Sequence, residues 1–345
     1  MNNRHQYSNP WQLFVQSIQT RSLHPAQRSL SRRFFLLMGA STLITSACTR
    51  AGLLDNQSGN SASETVKGVK HAFGETEVPA NPTQIIVWGY AIIDAVIAHE
   101  AQPIGVPNGA VDRMSYFSLD KEAVAEIGDP GQPNLEKIAA LQPDLILTRK
   151  NRVRDAAYPL LAQIAPTIVF DIENNAEWRE LTRLCGEALG KPLTTAKLSA
   201  AYETKLQEVR TQFSQKGEPP QVSVVYVSPE SIGAMGTETF AGSVLAYAGL
   251  SRPPSQAQAQ GPRNLSLESL DLLDGDVIFL MKPQTDTDAA VEIRTEIDRI
   301  QAHPLWSQLK AVQMNQVYEV GPHWAVGSYI AANLILDDLL KYLAN

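Results

Sequence analysis

The 345-residue sequence is sparing with the groups that build stapled scaffolds and metal centres. It has two cysteines, Cys48 and Cys185. One pair cannot hold a chain of this length together, so the fold has to come from apolar cores. Cys185 lies on an apolar helical face, the setting of a buried free thiol rather than a bridge. The six histidines, His5, His24, His71, His99, His303 and His323, include no close ligand pair. A free zinc or manganese site needs several converging His and carboxylates, so direct metal binding is disfavoured. Gly-x-Ser-x-Gly, the phosphate loop and His-Glu-x-x-His are all missing, which leaves an enzyme without its constellation. Positive charge is scarce beyond the N-terminus. Residues 1–47 hold five Arg and no acid, so the remainder stands at −12 against −7 for the whole chain. Phosphate binding needs clustered Lys and Arg, and this acidic body excludes nucleic acid as a partner.

What is present begins with an address. Ser31-Arg32-Arg33-Phe34-Phe35-Leu36-Leu37 is a twin-arginine pattern. The apolar run from Phe34 to Ala47 is shorter than the ~20 residues of a spanning helix and reads as the core of an export signal. It ends at Thr45-Ser46-Ala47-Cys48, small residues before a cysteine, as in a lipoprotein processing box. Acylation of Cys48 is the reading taken here, although Thr45 stands where that box has Leu. Cleavage at Ala47 with release is the competing one. Residues 48–65 are rich in Ser, Asn and Gly and form a tether without a core. The expected location is periplasmic or cell-surface, with a lipid anchor at Cys48.

The body alternates strands and helices. Gln84–Trp88, Pro103–Val106, Leu145–Leu147 and Pro166–Phe170 read as strands of a first α/β lobe over 66–172. Residues 173–217 form a helical connector. Within it Leu198, Tyr202, Leu206, Val209 and Phe213 recur at helical steps. That helix, Thr194 to Gln215, is ~33 Å long and is the element able to join two lobes. A second lobe, 218–345, starts with the strand Gln221–Val227. One unit occurs in both lobes. Leu135-Glu136 through Leu147 and Leu267-Glu268 through Phe279 share an offset of 132 positions, each a short helix, a break, an Asp and an apolar strand. The predicted fold is therefore α/β: two Rossmann-like lobes joined by a single long helix.

Gly128 to Leu147, His303-Pro304-Leu305-Trp306 with Leu309, Ala311-Val312 and Val317-Tyr318, and Leu336-Asp337-Asp338-Leu339 resemble the substrate-binding proteins of iron-siderophore and cobalamin ABC importers. The likeness covers most of residues 66–345. It implies two α/β lobes with ligand between them, and a monomer that delivers a ferric siderophore, of ferric-citrate type among others, to an ABC permease with its ATPase. Iron arrives wrapped in its chelator, so no cofactor is expected. Cobalamin or haem in the same cleft is the alternative, and a twin-arginine-exported enzyme the minor one. The resemblance further implies that Glu136 and Glu268 meet basic residues of the permease, one per lobe. In a first turn either acid would by itself only favour the helix dipole.

Ligands of open α/β sheets sit beyond the carboxyl ends of the strands. Trp88, Tyr90, Arg149, Arg152, Tyr226, Arg263, Lys282 and Trp324 project there from the predicted elements, with Arg113 as a further contact. Arginines give charge-assisted, often bidentate bonds to carboxylate or catecholate oxygens, and aromatics supply area.

Overall fold

The computed structural model describes residues 65–345 except 117–118, 121, 154–156, 216, 230, 259–260, 262, 283–287 and 345. The expected signal, Cys48 and nearly all of the tether lie outside the described residues.

The body opens with an antiparallel hairpin, β1 (Val66–His71) and β2 (Gly74–Pro79). Gly74, at φ 122, makes the reversal between the two strands. The first sheet follows. Its strands are β3 (Ile85–Trp88), β4 (Pro103–Val106), β5 (Ala125–Glu126), then, after a small hairpin of β6 (Gly128–Asp129) and β7 (Gln132–Pro133), β8 (Leu145–Arg149) and β9 (Thr167–Phe170). The order is β5-β4-β3-β8-β9, every pair parallel. Strands β3, β8 and β9 are buried along their whole length. That is why they read as unbroken apolar runs: helices cover both faces of a parallel sheet. Alternate residues serve opposite cores, Val87 and Leu147 one, Ile86, Trp88 and Ile146 the other.

Helix α1 (Tyr90–Ala98) follows β3, and α2 (Leu135–Ala140) precedes β8. The chain passes to the second sheet once, through 171–221, by way of α3 (Trp178–Ala188) and α4 (Pro192–Ser214). Helix α4 has 23 residues and begins with Pro192, whose missing N–H costs nothing in a first turn. Its start is tied to the first lobe: His99 meets Thr195 at 2.7 Å, and Lys191 Nζ donates to the His99 carbonyl at 2.5 Å. Its far half buries Tyr202, Leu206, Val209 and Phe213 in the core that holds Val222 and Phe279.

The second sheet comprises β10 (Val222–Ser228), β11 (Ser231–Ala234), β12 (Arg263–Leu265), β13 (Val277–Met281) and β14 (Val317–Val320), ordered β12-β11-β10-β13-β14. It is mixed, because β11 and β12 run antiparallel while β10, β13 and β14 are parallel. Helices α5 (Phe240–Tyr247) and α6 (Asp288–Gln301) belong to this lobe. The last helix, α7 (Tyr329–Leu343), packs on α4 and reaches back to α1. Cys185 is buried and free, and burial pushes its thiol pKa up. Among the described residues no helix is long and apolar enough to cross a membrane.

Candidate functional site

A cavity of about 520 Å³ opens between the lobes. The first lobe supplies Gly89, Tyr90, Ala91, Arg113, Arg149, Asn151, Arg152 and Glu173–Asn175, and the second supplies Met235, Glu238, Thr239, Gly261, Ala325 and Val326. Gly89, at φ 155, breaks β3 from α1 and so turns Tyr90 onto the cleft.

The cations sit on one wall. Arg149 is the last residue of β8 and is 6% exposed. Its Nη1 donates to Asn175 Oδ1 at 2.7 Å and its Nη2 to the Ile172 carbonyl at 3.0 Å. Its Nε is buried without a partner. Burial lowers the pKa of this guanidinium, the neighbouring Arg152 lowers it further, and Glu177 opposes both. Arg152 is exposed and makes one long bond, 3.4 Å, to the Pro130 carbonyl. The Arg113 guanidinium lies 5.3 Å over the Tyr90 ring. None of the three is ion-paired with a described residue. The opposite wall is less basic: Thr239 caps α5 through Gly242 N at 3.1 Å, and Glu238 is exposed. One held arginine, Arg149, beside the exposed Arg113 and Arg152 on a roomy cleft suits an anionic guest with several oxygens.

The structure brings Tyr90, Arg113, Arg149 and Arg152 together and places the other expected contacts elsewhere. Trp88 is 2% exposed and donates to the Pro130 carbonyl at 2.9 Å. Strand alternation turns it into the core with Ile86 and Ile146, away from the cleft. Trp324 is fully buried, stacked on Phe279 at 4.4 Å and bonded to Asp338 at 2.8 Å. Tyr226 leans on the second-lobe core and donates to Asn264. Lys282 is paired with Glu319 at 2.5 Å. Arg263 lies exposed on the edge strand β12. None of these five lines the cavity.

Glu136 and Glu268 are both exposed near the start of their elements. Asn134 caps the first element by accepting from Lys137 N at 2.9 Å. The second copy, Leu267–Leu273, departs from the expected α-helix: it is 3-10, broken at Ser269, with no side-chain cap from Ser266.

Sequence reasoning missed Asn175 and its neighbours. The signal was there: Asn174 and Glu177 form a capping box that fixes the turn on which Asn175 meets Arg149. It also missed Arg252, behind the Met235 wall. This side chain donates to the carbonyls of Val222, at 2.6 Å, and of Met235, and burial pushes its pKa down to about 9. Among the described residues no three His, Cys, Asp or Glu form a group that could hold a metal ion.

Residues 85–323 match the periplasmic binding protein family. A probable siderophore-binding lipoprotein of Bacillus subtilis, YfiY, is 30% identical, with 92% of this chain and 98% of that protein aligned. The Fe(3+) dicitrate-binding periplasmic protein FecB of Escherichia coli is 29% identical over 79% of this chain and 91% of its own. The crystal structure of Staphylococcus aureus SirA complexed with staphyloferrin B superposes with a TM-score of 0.68 at 26% identity, covering 80% of this chain and 98% of that one. The chain belongs to the periplasmic binding protein family, and it is an extracytoplasmic solute-binding protein, not an enzyme.

Proposed function

We propose that the cleft captures a ferric siderophore, with polycarboxylate chelates of the ferric-citrate kind within its range, and that the protein hands this cargo to an ABC permease with its ATPase. The observation that carries the reading is Arg149: a buried guanidinium, held by Asn175 and the Ile172 carbonyl, not ion-paired with a described residue, on the wall it shares with Arg113 and Arg152. Tyr90 adds an aromatic face beside them. Iron enters only inside its chelate. The names of the relatives point the same way, from a siderophore-binding lipoprotein to a ferric dicitrate-binding protein.

Around this site the remaining proposals follow. Residues 1–47 direct twin-arginine export, Cys48 carries the lipid, and residues 48–65 tether a monomeric body of two lobes to the membrane. Glu136 and Glu268, both exposed, dock on basic residues of the permease. Titration with ferric dicitrate, a ferric tris-catecholate and a ferric hydroxamate tests the cargo. At least one should bind with 1:1 stoichiometry, and Arg149→Ala should weaken it by 30-fold or more, about 2 kcal/mol for a lost charge-assisted contact. Binding of haem or cobalamin in place of all three would overturn it.

A further inference from the structure

One buried carboxylate belongs to neither the cleft nor any ion pair. Asp94 lies in the middle of α1 and is fully buried. Its Oδ1 accepts from the Ser328 hydroxyl. Its Oδ2 accepts from Tyr116 OH at 3.0 Å and from Ala331 N at 3.2 Å. Ser328 is the N-cap residue of α7 yet makes no side-chain cap of its own. The capping acceptor for the first turn of this second-lobe helix therefore comes from the first lobe. Tyr116 doubles the link, donating also to the Val326 carbonyl at 3.3 Å. Gly327 completes the joint by its size: a Cβ there would strike Ala331 and stand 2.9 Å from Asp94 Oδ2.

The joint touches both cleft walls. One turn before Asp94, Tyr90 and Ala91 line the first wall, and just ahead of Ser328, Ala325 and Val326 line the second. Burial raises the pKa of Asp94, with the Ser328, Tyr116 and Ala331 bonds pulling against it, so the group is held by its donors rather than by a cation.

We propose that Asp94 is a positioning residue that ties the lobes together by capping α7 from across the interface, and thereby fixes the spacing of the cleft walls for the ligand. The tie stands on its own geometry; its effect on cargo rests on the function proposed above. The test is hydrogen exchange of the ligand-free full chain, read by mass spectrometry for wild type, Asp94→Ala, Asp94→Asn and Gly327→Ala. Exchange across residues 325–335 should rise at least tenfold in Asp94→Ala and Gly327→Ala, with the two sheets still protected and Asp94→Asn in between. Unchanged exchange in that segment, or a uniform rise over both sheets, would overturn the tie, since the second result marks an ordinary core residue. Ferric dicitrate titration is the second arm. Affinity should fall at least fivefold in the two loosened variants, and equal affinity contradicts the positioning role. If wild type ignores this probe, whichever of the other two ferric chelates it binds replaces it; if it binds none of the three, the cargo reading is at fault and the exchange result alone decides the tie.

Discussion

The two copies of the repeated unit have diverged at their strand ends. In the first lobe, β8 ends in Arg149, which is buried, hydrogen-bonded and not ion-paired with a described residue. In the second, β13 leads into Lys282, whose charge is taken up by Glu319 at 2.5 Å. The sheets differ too: one is wholly parallel, and in the other β11 runs antiparallel to both its neighbours, β10 and β12. The rest of the unit keeps more in common: Leu135 and Leu267, the exposed Glu136 and Glu268, and Asp144 and Asp276 are identical pairs. On the function proposed above, the lobes divide labour by charge pairing: Arg149 on the first serves the ligand, and Lys282, paired with Glu319, serves the fold of the second.

The strongest way to sharpen that contrast is to damage the frame of the second lobe. Trp324→Ala removes a ring stacked on Phe279 and a donor to Asp338, and should cost about 3–5 kcal/mol in chemical unfolding. Lys282→Ala, which breaks one partly exposed ion pair, should stay within about 1 kcal/mol. If the two are alike, the second-lobe core has been misjudged. Next in size is docking. The double variant Glu136→Ala/Glu268→Ala should lower uptake of the bound ferric chelate by tenfold or more in cells while leaving its dissociation constant unchanged. Normal uptake would remove both acids from the interface.

The smallest effect concerns the joint between α1 and α4. Burial depresses the His99 pKa below its ordinary 6.5, with Lys191 adding to this and the Ala95 carbonyl opposing it. A lowered pKa means that the native state prefers the neutral ring. Its contribution is complete above pH 6.5 and is lost as pH falls below that value. Wild type should lose stability relative to His99→Gln as the pH is taken from neutral to 5. Parallel stability curves for the two proteins would assign the acid sensitivity elsewhere.

Much of the fold was legible because buried parallel strands spell themselves as apolar runs and α4 keeps helical spacing over five positions. The repeat located β8 and β13, and the strand-end rule reached Tyr90, Arg149 and Arg152. What failed was orientation. Trp88 and Val87 are both apolar neighbours in one strand, and nothing local says which core each enters. The neutralisation of Lys282 depends on Glu319, 37 positions away. Nothing local marks Asp94 either, because its partners Ser328 and Ala331 lie 234 and 237 positions along the chain. The 3-10 geometry of Leu267–Leu273 was also hidden, as its spelling is as helical as that of Leu135–Ala140.

The division of labour between the lobes is tested most directly by calorimetric titration of one ferric chelate, the tightest of the three proposed above, into wild type, Arg149→Ala and Lys282→Ala at equal salt. The expected result is a loss of 30-fold or more for Arg149→Ala and less than threefold for Lys282→Ala. Equal losses from both variants, or a larger one from Lys282→Ala, would contradict a cleft whose charge comes from the first lobe.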